Sequence, residues 1–425
     1  MLRRFRSYAR KVYGLDRQAR GLSDGARRKP RLSAGNVWLA ALLMFVGAYE
    51  SLHAFESDLK RRQGGEGRTK PRSAPSARSM GRVFAALSLA GLRAMLVGLV
   101  RALRRNKVSL AVTGERGLIA AAVDGHELFA GDVRHCARCC ERRVKVKVKG
   151  RTEWRTEYYH RVVVCFLIDC LLPVILDVES VLPGEDEKAA AKRLLKRVLR
   201  GYARAVDVIS ADALYADASF IRLVLKAGKH IVIVLKDERR DLLKDAKGLR
   251  RLVRPKRWTD DGRDCRVWDL PGFAAWWPGT DVRLRVVWSE EKSARPRRGR
   301  RRRGKRVPCE SVWVWLTDLA PSQASARAVW RFGHQRWHIE NRCFNDAVAH
   351  WSFDHCFRHE PNAIVAFLLT LAISLLLVHA FCRLNLKPAV RHLWNALSLR
   401  RQFFRDFGTG LSWSQWLRPE LVDDS

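Results

Sequence analysis

One feature constrains the fold of this chain more than any other: short apolar runs alternate with amphipathic segments between residues 117 and 235. Apolar runs bounded by turn residues are typical of buried strands. The segment from Glu185 to Arg204 has acids in its first turn and bases in its last, which suits the dipole of a helix. This alternation predicts an α/β domain. In chain order, the predicted elements are strands at 117–123, 160–168 and 172–178, a helix at 185–204, a strand at 206–210, a helix at 215–229 and a strand at 230–235.

Residues 236–312 break this rhythm and predict a β-rich insertion. The insertion carries a basic run, Arg295–Arg306, and nine of the thirteen residues from Ala294 to Arg306 are basic. Such a run is usually a solvated contact to phosphates and carries no sequence specificity. Tryptophans in β-rich segments either pack in a core or stack on unpaired bases, and both roles stay open for Trp258, Trp268, Trp276 and Trp277.

The net charge points to a polyanionic partner. The chain has 81 Lys and Arg against 43 Asp and Glu, a formal charge of +38, and 47% of its residues are hydrophobic, which excludes a disordered tail protein. A charge of this size predicts salt-sensitive attraction to DNA, RNA or an anionic membrane surface. Nucleic acid is the favoured partner because the basic residues are spread along the whole chain.

The regions before and after the α/β domain differ from it in composition and predicted structure. Residues 1–112 are basic and contain two apolar helical stretches, Val37–Phe55 and Val83–Leu103. They predict a helical region that either binds DNA ends or supports the next domain. The α/β domain is expected at 113–385, followed by a C-terminal extension at 386–425.

The longest apolar run, Ala363–Phe381, is close to the roughly 20 residues that span a bilayer. Thr370, Ser374 and His379 lie inside it, and it follows a polar helix. A fully buried core helix is therefore the favoured interpretation, with a membrane segment as the alternative; we expect no membrane association.

The ten cysteines form no evenly spaced framework, which is typical of free thiols in a reducing cytosol. Cytoplasmic localisation follows from this interpretation. One cluster is an exception, because Cys136 and Cys139 have zinc-knuckle spacing. The candidate structural zinc ligands are His135, Cys136, Cys139 and Cys140, with His160 as another residue able to complete the set; the alternative is free thiols in a basic loop.

Two acids follow predicted strands. Asp124 ends the first strand and opens an expected Asp124-Gly125 turn, and Asp212 comes just after the fourth. An acid at a strand end is commonly a turn residue, so neither carboxylate is persuasive alone. Together on neighbouring strands they match a two-metal phosphoryl-transfer site, in which carboxylates converge from a rigid scaffold.

A third carboxylate lies in a long predicted helix at 322–350. Arg336 and Glu340 are four residues apart and share one helical face. The alternative is an ordinary surface salt bridge. Trp337, Ile339 and Phe344 form an expected core stripe, which places Glu340 at the edge of the buried face.

These segments resemble the DDE transposases of bacterial insertion sequences, whose signature is Y-x2-R-x3-E-x6-K. The resemblance covers residues 115–385 and rests on several motifs in the expected order. It implies a fold with an RNase H-like (retroviral-integrase-like) catalytic core and a β-rich insertion, and the order of the predicted elements agrees with that core. The motifs are VDG (123–125), PGEDE (183–187), ADALYA (211–216), RWHIENRCFND (336–346) and HWSFDHCFRHEPNAI (350–364).

The resemblance implies that Asp124, Asp212 and Glu340 are catalytic and hold two Mg²⁺ ions, for which Mn²⁺ can substitute. Arg336 and Arg342 are the expected phosphate contacts. The implied reaction is hydrolysis at the element end followed by attack of the freed 3′-hydroxyl on target DNA. The implied partners are element-end and target DNA and a second copy of the chain, as a homodimer in a synaptic complex associated with the nucleoid.

The chain departs from the family signature at two positions. The tyrosine falls on Gly333 and the lysine on Ala347 or Val348. A missing lysine removes a phosphate-positioning cation, and Arg342 or His350 are candidates to replace it. Two alternatives to an active transposase follow: a degenerate or nuclease-only relative that does not join strands, and a non-enzymatic basic protein that binds nucleic acid or a membrane.

Overall fold

A computed structural model describes residues 1–25, 32–63, 74–112, 117–148, 150–236, 241–260, 262–296, 306–409 and 413–417. A ten-stranded sheet runs through these residues in the order β2-β3-β1-β5-β6-β10-β9-β8-β7, and β4 pairs with β3. The mixed α/β class is as predicted. The strands are β1 (Ala120–Gly131), β2 (Cys140–Val148), β3 (Arg151–Leu167), β4 (Ile175–Ser180), β5 (Val208–Ala211), β6 (His230–Val234), β7 (Lys256–Asp260), β8 (Arg263–Ala274), β9 (Arg283–Pro296) and β10 (Arg306–Thr317).

Helices lie before, between and after the strands. Short 3₁₀ and π-helical turns at Ala213–Tyr215, Ile339–Phe344 and Phe381–Asn385 connect some of them. The α-helices are α1 (Leu2–Tyr13), α2 (Leu15–Arg20), α3 (Ala34–Val46), α4 (Leu52–Gln63), α5 (Ala77–Ala86), α6 (Leu89–Arg105), α7 (Glu187–Gly201), α8 (Ala218–Lys226), α9 (Asp241–Leu249), α10 (Ala326–Gln335), α11 (Asn345–Trp351), α12 (Pro361–Ala380), α13 (Pro388–Arg391), α14 (Ala396–Thr409) and α15 (Trp413–Leu417).

Strand β1 is an interior strand of the sheet, between β3 and β5. Its first four residues, Ala120–Val123, are fully buried and pair in parallel with β5, and β1 pairs antiparallel with β3 on its other side. A run of small and β-branched side chains suits a strand covered on both faces. The predicted turn at Asp124-Gly125 is wrong, because Asp124 pairs with Val164 and β1 continues to Gly131.

The sequence did not predict the hairpin formed by β2 and the first part of β3, which lies between the predicted strands at 117–123 and 160–168. β2 alternates basic and apolar residues, and most of its side chains are exposed, so its hydrophobic signal is weak. Its two strands pair from Cys140 with Tyr159 to Val148 with Arg151. The predicted pairing of the next two strands is confirmed by the antiparallel register of β3 with β4.

The predicted β-rich insertion contains strands β7 to β9 and most of β10. It extends the central sheet, because β10 pairs antiparallel with β6 through Trp315, Leu316 and Thr317. Of the basic run Arg295–Arg306, residues 297–305 lie outside the described part of the chain.

Helix α12 is a core helix, as predicted. Pro361–Asn385 is apolar and long enough to cross a membrane, yet 94% of its most apolar window is buried inside the protein. It packs against α3, α5, α6 and β4. Trp38 Nε1 of α3 donates a hydrogen bond to Thr370 Oγ1 at 3.0 Å, so one of its polar groups has a partner in the core.

Each of the two apolar stretches predicted near the N-terminus is divided between two helices. α3 ends at Gly47, and Ala48 has a left-handed φ of 57°, which turns the chain before α4. α5 and α6 are bent by 88° where the Ser88 side chain caps the second helix. These helices share one apolar core with α12 and the sheet.

Candidate active site

The two predicted aspartates lie side by side on neighbouring parallel strands, Asp124 inside β1 and Asp212 directly after β5. Val123 of β1 is in register with Ala211 of β5, so the next residues, Asp124 and Asp212, come at matched positions. Asp212 caps the following 3₁₀ turn, since its Oδ1 accepts a hydrogen bond from Leu214 N at 2.9 Å. Asp124 is held in a similar way by Gly125 N at 2.9 Å. The backbone therefore fixes both carboxylates.

Glu340 joins this pair through Arg336. The Arg336 guanidinium donates from Nη1 to Asp124 Oδ2 at 2.9 Å and from Nη2 to Glu340 Oε1 at 3.1 Å. Its carbon also lies 5.0 Å from the centre of the Trp337 ring. Arg336 is 6% exposed, so its charge is neutralised by carboxylates with little help from solvent. The alternative of a surface Arg-Glu pair does not fit this burial.

The electrostatics of Asp124 reflect a crowded acidic site. Burial raises the pKa of Asp124 to about 6, the charges of Asp212 and Glu340 push in the same direction, and Arg336 with Gly125 N opposes them. Carboxylates close enough to perturb one another in a low-dielectric setting are typical of functional sites. Oxygen donors of this kind are suited to Mg²⁺.

A sequence model of the transposase DDE domain matches residues 146–377. The chain belongs to this family. The matched residues include Asp212, Arg336 and Glu340, whereas Asp124 lies before the matched region. No curated protein matches the chain.

The transposase has a second layer of polar residues that sequence reasoning did not single out. Tyr215 donates to Glu187 Oε1 at 2.6 Å, and Arg161 forms a salt bridge with Glu187 Oε2 at 2.6 Å. Burial and the Glu187 charge raise the pKa of the Tyr215 hydroxyl well above its ordinary value. A Cβ on Gly125 would lie 2.0 Å from the Glu187 carboxylate, so the glycine after Asp124 makes room for this layer. The sequence pattern did not indicate that Glu187 and Tyr215 pair, although the PGEDE and ADALYA motifs contain them.

The predicted signature helix is interrupted at Glu340. The predicted helix at 322–350 consists of α10, a π-helical turn at Ile339–Phe344 and α11. π-Helical turns occur frequently at functional sites. Ile339 and Phe344 are buried as expected, but Trp337 is 37% exposed and lies over Arg336 instead of in the core.

Helix α10 is anchored to the insertion by a buried acid. Glu291 Oε1 of β9 accepts hydrogen bonds from Trp330 Nε1 at 2.8 Å and Ser289 Oγ at 2.9 Å, and His334 Nε2 lies 2.7 Å away. Burial alone would raise the pKa of Glu291. The hydrogen bonds and charge of these partners, His334 above all, outweigh burial and lower the pKa below its ordinary value. The insertion thereby fixes the helix that leads to Arg336.

The departure at Gly333 has a steric cause. A Cβ on Gly333 would lie 2.1 Å from Trp315 Nε1, so α10 packs directly on the indole of β10 and no tyrosine fits there. At the lysine position, Ala347 is fully buried. Arg342 is exposed and lines a groove with His338, Asp346 and Arg383.

The four insertion tryptophans divide by exposure. Trp268 and Trp277 are buried, Trp258 is partly buried against Trp330, and Trp276 is 39% exposed. The first two are core residues. Base stacking stays a prediction for Trp276.

The predicted zinc residues do not all come together. Cys136 and Cys139 lie in one cluster with His160 and His359. His135 instead stacks on Tyr158 at 4.7 Å, and the Cys140 thiol is directed at Val181 O, 3.9 Å away. Adjacent residues at a strand start point to opposite sides, which separates Cys140 from Cys139.

Proposed function

We propose that this transposase cuts DNA at the ends of its element and joins the freed ends to target DNA in a cut-and-paste reaction. The observation that carries the proposal is that Asp124 lies beside Asp212, which follows the paired strand β5, while the Arg336 guanidinium bonds both Asp124 and Glu340. An RNase H-like core is part of the proposal. It is supported by the order β4-β3-β1-β5-β6, in which β1, β5 and β6 are parallel.

The donor set fits divalent metal ions. Asp124, Asp212 and Glu340 offer carboxylate oxygens, which Mg²⁺ or Mn²⁺ accepts. The burial that raises the pKa of Asp124 also shows that its negative charge is poorly solvated and gains from a nearby cation. Two such ions, when bound, would stabilise the attacking and leaving oxygens of the scissile phosphate.

The chain's own residues supply positioning. Asp124 and Asp212 are fixed by backbone hydrogen bonds on the central sheet, so their carboxylates need little reorganisation. Arg336 has a planar guanidinium that now bonds the carboxylates of Asp124 and Glu340. When a metal cation binds these carboxylates instead, the guanidinium can contact a DNA phosphate. Arg342 is proposed as a further phosphate contact.

DNA is the proposed substrate at both the element end and the target. The charge of +38 supports salt-sensitive binding to the phosphate backbone. We propose a homodimer in the synaptic complex, with residues 1–112 contributing to DNA-end binding next to the catalytic region at 113–385 and the extension at 386–425. Cytoplasmic, nucleoid-associated localisation belongs to the same proposal.

The test is cleavage of element-end DNA by single alanine variants of Asp124, Asp212 and Glu340. Each variant is expected to bind the DNA normally and to lose Mg²⁺-dependent cleavage. Glu127→Ala is the matched control, because Glu127 is an exposed acid on the same strand that pairs with Arg142. Cleavage that survives in any of the three variants overturns the assignment of that residue.

A second candidate function is cleavage without strand joining. It is favoured by Ala347 at the expected lysine position, which removes a cation from the signature. Supplying pre-cut element ends separates the two functions. Joined products support the transposition proposal, and hydrolysis without joining supports the nuclease.

A further inference from the structure

Four metal-binding side chains converge near the start of β2, and none of them is one of the three acids. The ligand atoms of Cys136, Cys139, His160 and His359 all lie within 4.8 Å of one another. Both histidines present Nε2 to the cluster. Cysteine sulfur and imidazole nitrogen in a set of four are the preferred ligands of zinc.

The distances between these atoms match the edges of a zinc tetrahedron. Zinc–sulfur bonds of about 2.3 Å and zinc–nitrogen bonds of about 2.0–2.1 Å give edges of about 3.8 Å between sulfurs, about 3.6 Å between sulfur and nitrogen and about 3.3 Å between nitrogens. The two sulfurs are 3.8 Å apart and the two nitrogens are 3.2 Å apart. Cys139 Sγ lies 3.3 Å from His160 Nε2 and 3.2 Å from His359 Nε2, and Cys136 Sγ lies 3.4 Å from His160 Nε2.

The surroundings agree with a built metal site. Cys139 N donates to Cys136 O at 3.1 Å in the tight turn, and Cys136 N donates to Cys139 Sγ at 3.2 Å. A backbone donor to sulfur stabilises a thiolate. The ring of Phe129 packs against both imidazoles, at 5.3 Å from His160 and 5.4 Å from His359, which holds their orientation.

We propose that Cys136, Cys139, His160 and His359 bind one structural zinc ion. The two thiols release their protons to solvent, and each imidazole keeps its proton on Nδ1 and binds through Nε2. The resulting site has no net charge and no open position. Four protein ligands are typical of structural zinc, whereas catalytic zinc keeps a place for water.

The ion would connect three parts of the chain. Cys136 and Cys139 lie in the turn before β2, His160 lies in β3, and His359 lies in the connection between α11 and α12. That connection follows the helix that begins just after the Glu340 turn, and β3 pairs with the strand that carries Asp124. The zinc therefore ties the segment after Glu340 to the sheet. This inference is independent of the proposed function.

The first measurement is the metal content of the full-length protein, purified without a metal-affinity step, by inductively coupled plasma mass spectrometry. We expect about one zinc per chain, and less than about a tenth in Cys136→Ser and His359→Asn. The matched controls are Cys140→Ser, adjacent to a ligand but outside the cluster, and Cys309→Ser, in distant β10. Both should retain the zinc of the unmodified protein.

Cobalt substitution keeps the test valid if a variant fails to fold. Co²⁺ bound to two thiolates and two imidazoles gives tetrahedral absorption bands and a sulfur-to-cobalt charge-transfer band. We expect these bands in the unmodified protein at one equivalent, their loss on adding one equivalent of Zn²⁺, and their persistence at millimolar Mg²⁺. The absence of zinc and of the cobalt bands overturns the proposal, and so does a zinc content that falls equally in Cys140→Ser and Cys136→Ser.

Discussion

Replacing Asp124 with asparagine should stabilise the metal-free protein at neutral and higher pH. Burial, with help from Asp212 and Glu340, raises the pKa of Asp124 from 3.8 to about 6 despite the opposing charge of Arg336. The folded protein therefore holds this proton more tightly than the unfolded chain. As pH rises from about 4 to about 6, the free energy of unfolding falls, because the unfolded chain binds fewer protons than the folded one. The penalty is complete above about pH 6 and is absent below the unfolded pKa.

The magnitude follows from the size of the shift. One pKa unit is about 1.4 kcal/mol, so ionised Asp124 costs the folded protein about 3 kcal/mol at pH 8 and about 1 kcal/mol at pH 4.5. Its side chain is 18% exposed, so solvent screens this cost only modestly. Asparagine cannot ionise, so Asp124→Asn should recover up to these amounts. Arg336 keeps Glu340 as a partner in the variant.

The assay is urea unfolding followed by circular dichroism at pH 4.5 and pH 8, in buffer freed of divalent ions by a resin so that no chelator touches the zinc cluster. Adding Mg²⁺ at pH 8 should stabilise the unmodified protein more than the variant, because ligand binding to the folded state raises its stability.

The control is Asp269→Asn. Burial raises the pKa of Asp269, but hydrogen bonds and charge from Arg285 with help from Lys256 outweigh it and hold the pKa below 3.8. Ionised Asp269 therefore stabilises the folded protein at pH values above its pKa in the unfolded chain. This stabilisation is lost as the pH falls through the lower pKa of Asp269 in the folded protein. Asp269→Asn should therefore lower the free energy of unfolding at pH 8, whereas Asp124→Asn should raise it. Destabilisation of Asp124→Asn at pH 8 would show that ionised Asp124 does not destabilise the fold and that it is a structural partner of Arg336.

Three further predictions follow from named contacts. Gly333→Ala places a methyl group 2.1 Å from Trp315 Nε1, so urea unfolding should show a loss of roughly 1–3 kcal/mol; an unchanged midpoint would contradict the steric account. Tyr215→Phe removes the donor to the Glu187 carboxylate and should cost about 1–3 kcal/mol in the same assay, with equal stability as the contrary result. Arg336→Lys replaces the two nitrogens that bond Asp124 and Glu340 with a single ammonium, so single-turnover cleavage of element-end DNA should fall roughly 10- to 100-fold with DNA affinity retained; wild-type cleavage would show that the guanidinium is dispensable.

The parts of the fold that the sequence predicted are those with a strong local signal. The strands bearing the two aspartates are continuous apolar runs, and α7 has charges arranged to suit its dipole. Their pairing places Asp124 beside Asp212 because the two parallel strands run in register up to Val123 and Ala211. The β2–β3 hairpin escaped prediction because its stability comes from cross-strand pairs, such as Arg142 with Glu157, and from extension of an existing sheet.

The parts of the site that escaped prediction depend on contacts between distant positions. Glu187 and Tyr215 meet only when α7 and the turn after β5 pack on β1. His359 lies far along the chain from Cys136, so no short spacing motif could identify it as a partner. The π-helical turn that begins at Ile339 contains no glycine or proline that would predict it, and the sequence also gave no sign that Trp337 lies outside the core.

Electron paramagnetic resonance of bound Mn²⁺ tests most directly whether Asp124, Asp212 and Glu340 hold two metal ions on DNA. The complex with element-end DNA is titrated with Mn²⁺ for the unmodified protein and for Asp124→Asn, Asp212→Asn and Glu340→Gln. We predict two ions per site, about 3.5–4 Å apart and therefore exchange-coupled, with loss of the coupled signal in each variant. An unchanged coupled signal in any of the three variants would contradict the role of that carboxylate in holding the two ions.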